Sequence, residues 1–193
     1  MFNLLKNSFL ELKKTKTIVI CGLLLAISLM LNTQALKIEG ITIITFSFIA
    51  NSTAGFLFGP VVAGILGGLT DFLTHVINPK GTYFFGFTFN AILGGFLYGS
   101  FLYRKIYGSK KLILRIILCK IAISLIVNLT LGTYWYSMYA GKGFLVLLPA
   151  RIYKELIIVP IHCIVMYTIL KIVNKIYYQL NLDDNKNTQI EKC

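Results

Sequence analysis

The sequence predicts an all-α membrane protein, a bundle of six transmembrane helices with both termini cytoplasmic. Three observations carry this prediction. Hydrophobic residues make up 56% of the 193 positions and charged ones only 13%, with a mean hydropathy of +0.76, which lies beyond ordinary soluble domains. Apolar runs near the ~20 residues that cross a ~30 Å hydrocarbon layer recur about six times, separated by short connections. Basic residues gather at alternate ends of these runs. Lys6, Lys13, Lys14 and Lys16 precede the first run, Arg104, Lys105, Lys110 and Lys111 fill the fourth connection, and Lys171, Lys175, Lys186 and Lys192 follow the last, whereas the opposite side has only Lys37, Lys80 and Lys142. By the positive-inside rule the first group is cytoplasmic. The net charge of +12 thus reflects membrane topology and anionic lipid, and no nucleic-acid partner is predicted.

Residues 1–16 place Phe2, Leu5, Phe9 and Leu12 opposite Lys6, Asn7, Lys13 and Lys14, the pattern of a short amphipathic helix lying on the bilayer face. The spans are expected at 17–36, 42–58, 60–78, 84–103, 112–137 and 145–173, within a transmembrane domain of 17–178 that ends in a polar cytoplasmic tail, 179–193. The run from Thr17 is long enough to span and is read as a retained helix, not a cleaved signal. Pro60, after "FG", opens the third span at its first helical position. Cys21, Cys119 and Cys163 lie in apolar stretches and Cys193 is terminal, so no disulfide framework or zinc site is expected.

Small residues recur four apart: Gly22 with Ala26, Gly55 with Gly59, Gly64 with Gly68, and Gly95 with Gly99. In lipid such pairs permit close backbone approach. Packing inside the bundle explains most of them, and a surface for another membrane subunit is the alternative. No repeat of the kind found in rocking transporters is visible.

Given this orientation, polar residues converge on the outer half: Asp71 and His75 of span three, Phe87, Thr88 and Asn90 of span four, and Asn128, Thr133, Trp135 and Tyr139 of span five. Arg151 and Lys154 of span six join them, with Gln34 at the end of span one. Charges at bilayer depth are costly, so "LLPARIYKELIIVPI" needs a compensating partner for Arg151, Lys154 and Glu155. Two readings stay open. Glu155 and Asp71 neutralise the two cations as an ionic lock between spans three and six, or the cations bind an anionic ligand, Arg151 as a planar fork and Lys154 as a point charge. "TYWYSMY" and "YFFGFTFN" supply aromatic walls for a flat heterocycle, although such residues also form interfacial belts. Asp71 and His75 at i and i+4 fall short of the usual three metal ligands, and no catalytic motif or phosphate loop accompanies them. No catalytic residue, metal or cofactor is expected. His162, beside the kinking Pro160, reads as a packing residue.

The stretches "FGPVVAGILGGLTDFLTHVINPKGTYFFGFTFNAILGGFLYG" (58–99), "NLTLGTYWYSMYAGKGF" (128–144) and "LPARIYKELIIVPI" (148–161) resemble the substrate-binding S components of energy-coupling factor (ECF) vitamin transporters, the folate branch most closely. The resemblance covers nearly the whole membrane portion. It implies a six-helix, non-enzymatic subunit of the bacterial plasma membrane that captures folate or a reduced folate outside, working with a membrane T component and two cytoplasmic ABC ATPases. It also implies that Gly22 and Ala26 face the T component. The pocket residues expected on this basis are Gln34, Asp71, Phe87, Asn90, Asn128, Thr133, Trp135, Tyr139, Arg151 and Lys154. S components share one fold across unrelated vitamins, so another anionic aromatic vitamin or precursor remains an alternative, as does a non-transport assembly protein whose charges merely lock helices.

Overall fold

The computed structural model describes residues 2–33, 36–38, 42–44, 46–79, 81–103, 109–141 and 143–190, without the side chains of 2, 3, 33, 36–38, 42–44, 109, 110, 178 and 180–190. Gln34 lies outside the described residues, as do the loop cations Lys80, Arg104, Lys105 and Lys142 and the terminal Lys192 and Cys193. The described residues are helical apart from one antiparallel pair of short strands and the connecting turns. Its order is α1 (Phe2–Glu11), α2 (Thr15–Thr33), β1 (Leu36–Ile38), β2 (Thr42–Ile44), α3 (Phe48–Phe58), α4 (Pro60–Ile77), α5 (Phe85–Leu102), α6 (Ser109–Ala122), a π-helical segment (Ile123–Leu131), α7 (Gly132–Ala140) and α8 (Phe144–Ile190).

Among the described residues five apolar stretches are long enough to cross a bilayer: Thr15–Asn32, Pro60–Ile77, Phe85–Leu102, Lys111–Ala140 and Phe144–Tyr177. The fourth joins α6, the π-helical segment and α7 end to end. The expected span over 42–58 is corrected by the structure. Residues 42–44 pair antiparallel with 36–38, Leu36 facing Ile44 and Ile38 facing Thr42, and α3 has only 11 residues. Such a helix rises about 16 Å, roughly half the hydrocarbon thickness. β-Branched residues explain the difference: "ITIIT" at 41–45 favours extended backbone and lacks a helical period.

Glycine sets the spacing of α3, α4 and α5. A Cβ on Gly55 would lie 2.8 Å from the Gly99 backbone nitrogen, one on Gly64 would lie 3.3 Å from the Ile92 carbonyl oxygen, and ones on Gly95 and Gly99 would strike the backbones of Ala63 and Pro60. Here helix backbones touch, so the packing expectation for these pairs holds. Gly59 has φ +93, a conformation that disfavours any side chain, and it turns the chain from α3 into α4, where Pro60 takes the first helical position. The adjoining core joins Phe48 and Phe56 to Tyr98, Leu102, Ile116, Cys119, Met166 and Leu170.

α1 is fastened to that turn by a contact that its sequence pattern does not announce. Ser8 is fully buried; its hydroxyl donates to the Phe58 carbonyl at 2.8 Å and accepts from the backbone N–H of Val61 and Val62 at 3.1 and 3.4 Å. It thereby satisfies end groups of two helices at once. Phe9 and Leu10 stay exposed. On α2, Gly22 and Ala26 are both exposed, and a Cβ on Gly22 would meet nothing within 4 Å. Among the described residues, therefore, nothing packs closely over Gly22.

Candidate functional site

Residues of α4, α5, α7 and α8, with others from α2 and α3, surround a cavity of about 880 Å³, within the range of small-molecule sites. Gly67, Thr70, Asp71 and Thr74 of α4 line one wall, joined by Asn32, Ser47, Asn51, Phe87 and Ala91. Tyr136, Leu147, Ala150, Arg151 and Lys154 line the other. The α4 residues share one face because i, i+3, i+4 and i+7 coincide on a helix. A smaller cavity of about 290 Å³ adjoins it through Phe87, Arg151 and Lys154, and is lined further by Asn90, Lys120, Asn128, Gly132, Glu155 and His162 among others.

The carboxylates are occupied by neutral donors. Asp71 accepts from the Thr88 hydroxyl at 2.7 Å, which is itself 2.6 Å from the Tyr83 hydroxyl. Glu155 accepts from Ser124 at 2.7 Å and from the Asn128 amide at 3.1 Å. Both donors lie on the π-helical segment, a distortion that often marks a functional position in a helix. Among the described residues no ion pair within 4.0 Å joins Arg151 or Lys154 to either carboxylate. Thus neither Arg151 nor Lys154 is locked to Asp71 or Glu155. The Arg151 guanidinium instead lies 4.8 Å from the centre of the Tyr136 ring. Gly132 makes room for it: a Cβ there would lie 3.3 Å from Arg151 Nη1 and 3.6 Å from the Asn90 amide nitrogen.

Acceptors without partners belong to residues that line these cavities. Among the described residues Asn51 Oδ1 and Thr70 Oγ1 of the large cavity, and Asn90 Oδ1 of the small one, are buried with no hydrogen bond. A buried polar atom left unmatched costs about 1–3 kcal/mol, so a ligand N–H group placed against it would be favoured.

Of the sequence-expected residues, Asp71, Phe87, Arg151 and Lys154 line the large cavity, and Asn90 and Asn128 line the small one. Thr133, Trp135 and Tyr139 line neither. Thr133 is fully buried and donates to the Asn128 carbonyl. Trp135 packs on Phe84, and a Cβ on Gly86 would lie 2.6 Å from its ring. Tyr139 meets the rings of Phe84 and Phe87. Sequence reasoning missed Asn51, Thr70 and Lys120 and assigned His162 to packing, whereas Tyr136 stands in the aromatic stretch "TYWYSMY" read as a wall of the site. The α4 residues carried a usable signal, since Thr70 and Thr74 flank Asp71 at helical spacing in an apolar segment. Asp71 and His75 do not hold a metal-ligating set, and none of three or more His, Cys, Asp or Glu occurs among the described residues.

The family model for the substrate-specific component of ECF transporters matches residues 16–170. A curated relative from Clostridium novyi (strain NT), "Folate transporter FolT", is 42% identical over 133 residues, covering 69% of this chain and 75% of that protein. Another "Folate transporter FolT", from Leuconostoc mesenteroides subsp. mesenteroides, is 25% identical over 161 residues, 81% of this chain and 85% of that protein. Among solved structures, one described as "Crystal structure of FolT bound with folic acid" superposes with a TM-score of 0.70 and 32% identity, over 80% of this chain and 92% of that chain. With its apolar helices and its walled, partly charged cavity, the chain belongs to the substrate-specific components of ECF transporters, a family of membrane-embedded binding subunits and not of enzymes.

Proposed function

We propose that this subunit captures folate or a reduced folate from outside the cell and delivers it inward with a membrane T component and two cytoplasmic ABC ATPases. One observation carries the ligand assignment beyond likeness to proteins named for folate transport. Among the described residues, the large cavity pairs two cations that have no carboxylate within 4.0 Å with buried acceptors that have no donor. Folate is complementary to both: its glutamate is a dianion, and its flat pterin presents N–H groups. Arg151 and Lys154 take the carboxylates, and Asn51, Thr70 and Asp71 receive the pterin edge, with Phe87 and Tyr136 against the rings. Asn90, Asn128 and Glu155 complete the site from the adjoining small cavity, which they line with Arg151 and Lys154. Thr133, Trp135 and Tyr139 act through packing that holds α5 against α7.

The membrane arrangement is six passes with both termini cytoplasmic, the short α3 standing in the place of the second pass. Residues 1–16 lie on the inner face and 179–193 form a cytoplasmic tail. The outward-facing Gly22 and Ala26 meet the T component, which is supported by the open space over Gly22.

Purification in detergent without added vitamin, followed by an absorbance spectrum of the released ligand, tests the assignment. A pterin spectrum is expected. A different chromophore points to another anionic aromatic vitamin, and failure to bind folate in titration of the stripped protein refutes the proposal.

A further inference from the structure

Lys120 poses a problem that the large cavity does not solve. It is almost fully buried in the middle of an apolar stretch, where an ammonium is costly unless matched by a counter-charge. Its contacts are all neutral. Its Nζ donates to the Tyr98 hydroxyl at 2.7 Å, lies 3.2 Å from His162 Nδ1, and sits 4.5 Å from the centre of the Phe48 ring. The nearby Glu155 is committed to Ser124 and Asn128.

Two donors are left over. An ammonium has three N–H groups and no acceptor capacity, so one has no acceptor among the described residues once Tyr98 and His162 are served. Because Lys120 donates to Nδ1, the imidazole proton sits on Nε2, and Nε2 is buried with no partner among the described residues. His162 is held in this orientation by stacking on Phe48, ring centres 4.0 Å apart. Lys120 and His162 both line the 290 Å³ cavity, as do Arg151 and Lys154, with Glu155 its sole carboxylate.

We infer that the small cavity is an anion site, seated on Lys120 and His162 and distinct from the ring-binding space above. Its ligand is a small monovalent anion with chloride or carboxylate chemistry. A water molecule would fill the space and accept the hydrogen bonds but would not balance the charge. The anion has two possible sources, a free ion from solution or a carboxylate of the subunit's own substrate; the second rests on the folate reading and the first does not.

Chloride-35 NMR of the ligand-stripped subunit in detergent, with sodium chloride as the probe, addresses the free ion without using folate. Broadening above protein-free detergent, abolished by Lys120→Met, assigns a chloride site. Calorimetric titration with folate and with 6-methylpterin, which has no carboxylate, addresses the other source. If a carboxylate enters the cavity, Lys120→Met weakens folate by about 10- to 100-fold, the size of a lost charge-assisted hydrogen bond, and leaves 6-methylpterin unchanged. Should Lys120→Met fail to fold, His162→Phe preserves the ring stack and carries the same comparisons. Absence of chloride broadening together with equal effects on the two pterins overturns the inference. Loss of folate binding in wild type alongside intact chloride broadening would refute the vitamin assignment alone.

Discussion

Replacing Arg151 by alanine separates ligand binding from structural support, because the structure leaves this cation without a carboxylate partner. The guanidinium is half-buried, stacked on Tyr136, and free of any ion pair within 4.0 Å among the described residues. A carboxylate arriving at about 4 Å gains roughly 4 kcal/mol at an effective dielectric of 20. Truncating one member of such a desolvated pair costs about 2–5 kcal/mol, so the folate Kd should rise by ~30- to ~5000-fold. Since no protein carboxylate is orphaned by the change, the ligand-free melting temperature should hardly move. Arg151→Lys retains the charge but loses the fork and the flat stack on Tyr136, leaving a penalty of about 1 kcal/mol. Calorimetric titration with folate and 6-methylpterin, beside thermal melts of the stripped protein, is the assay. Equal losses for the two ligands, or a fall in ligand-free stability that accounts for the loss, would refute the assignment of Arg151 to the carboxylate.

Ser8→Ala should lower stability by about 1–2 kcal/mol, because the Phe58 carbonyl and the N–H groups of Val61 and Val62 lose their shared partner; a thermal melt with folate affinity as control checks it. Gly99→Ala should cost about 1–3 kcal/mol or prevent folding, since the methyl meets the Pro60 backbone and α4 has no room to retreat, as measured by the yield of monodisperse protein and its melt. Ala26→Trp should leave folate affinity of the isolated subunit within about two-fold of wild type while abolishing uptake and co-purification with the T component, because its position is outward-facing. Lost binding with intact assembly would contradict that role.

The membrane-spanning helices were legible because hydrocarbon imposes length and composition directly on sequence. Residues 42–58 were not: an apolar run records burial, and whether it is extended or helical depends on pairing with 36–38 that no local window contains. The site was legible by depth more than by direction. Arg151, Lys154, Asp71 and Asn90 could be assigned to one end of the bundle, but which face of α7 looks inward depends on the π-helical segment before it. That distortion shifts the helical phase and leaves Thr133, Trp135 and Tyr139 off the cavity walls. Tyr136, their neighbour, takes the position under Arg151. Lys120 and His162 lie 42 positions apart, and only tertiary structure reveals that each is the other's partner.

The glycine contacts of α3, α4 and α5 give the two walls of the large cavity unequal compliance. On the α4 side, backbone rests on backbone at Gly55, Gly95 and Gly99, so there are no side-chain rotamers to yield and a close-packed unit transmits strain as a whole. On the α8 side, only Ile158, Met166 and Leu170 of the stretch Phe144–Tyr177 are buried, and Pro149 and Pro160 each remove a hydrogen bond from the helix. A ligand that draws the walls together therefore moves α8 towards a stationary α4, and the work of closure is done where Arg151 and Lys154 are mounted.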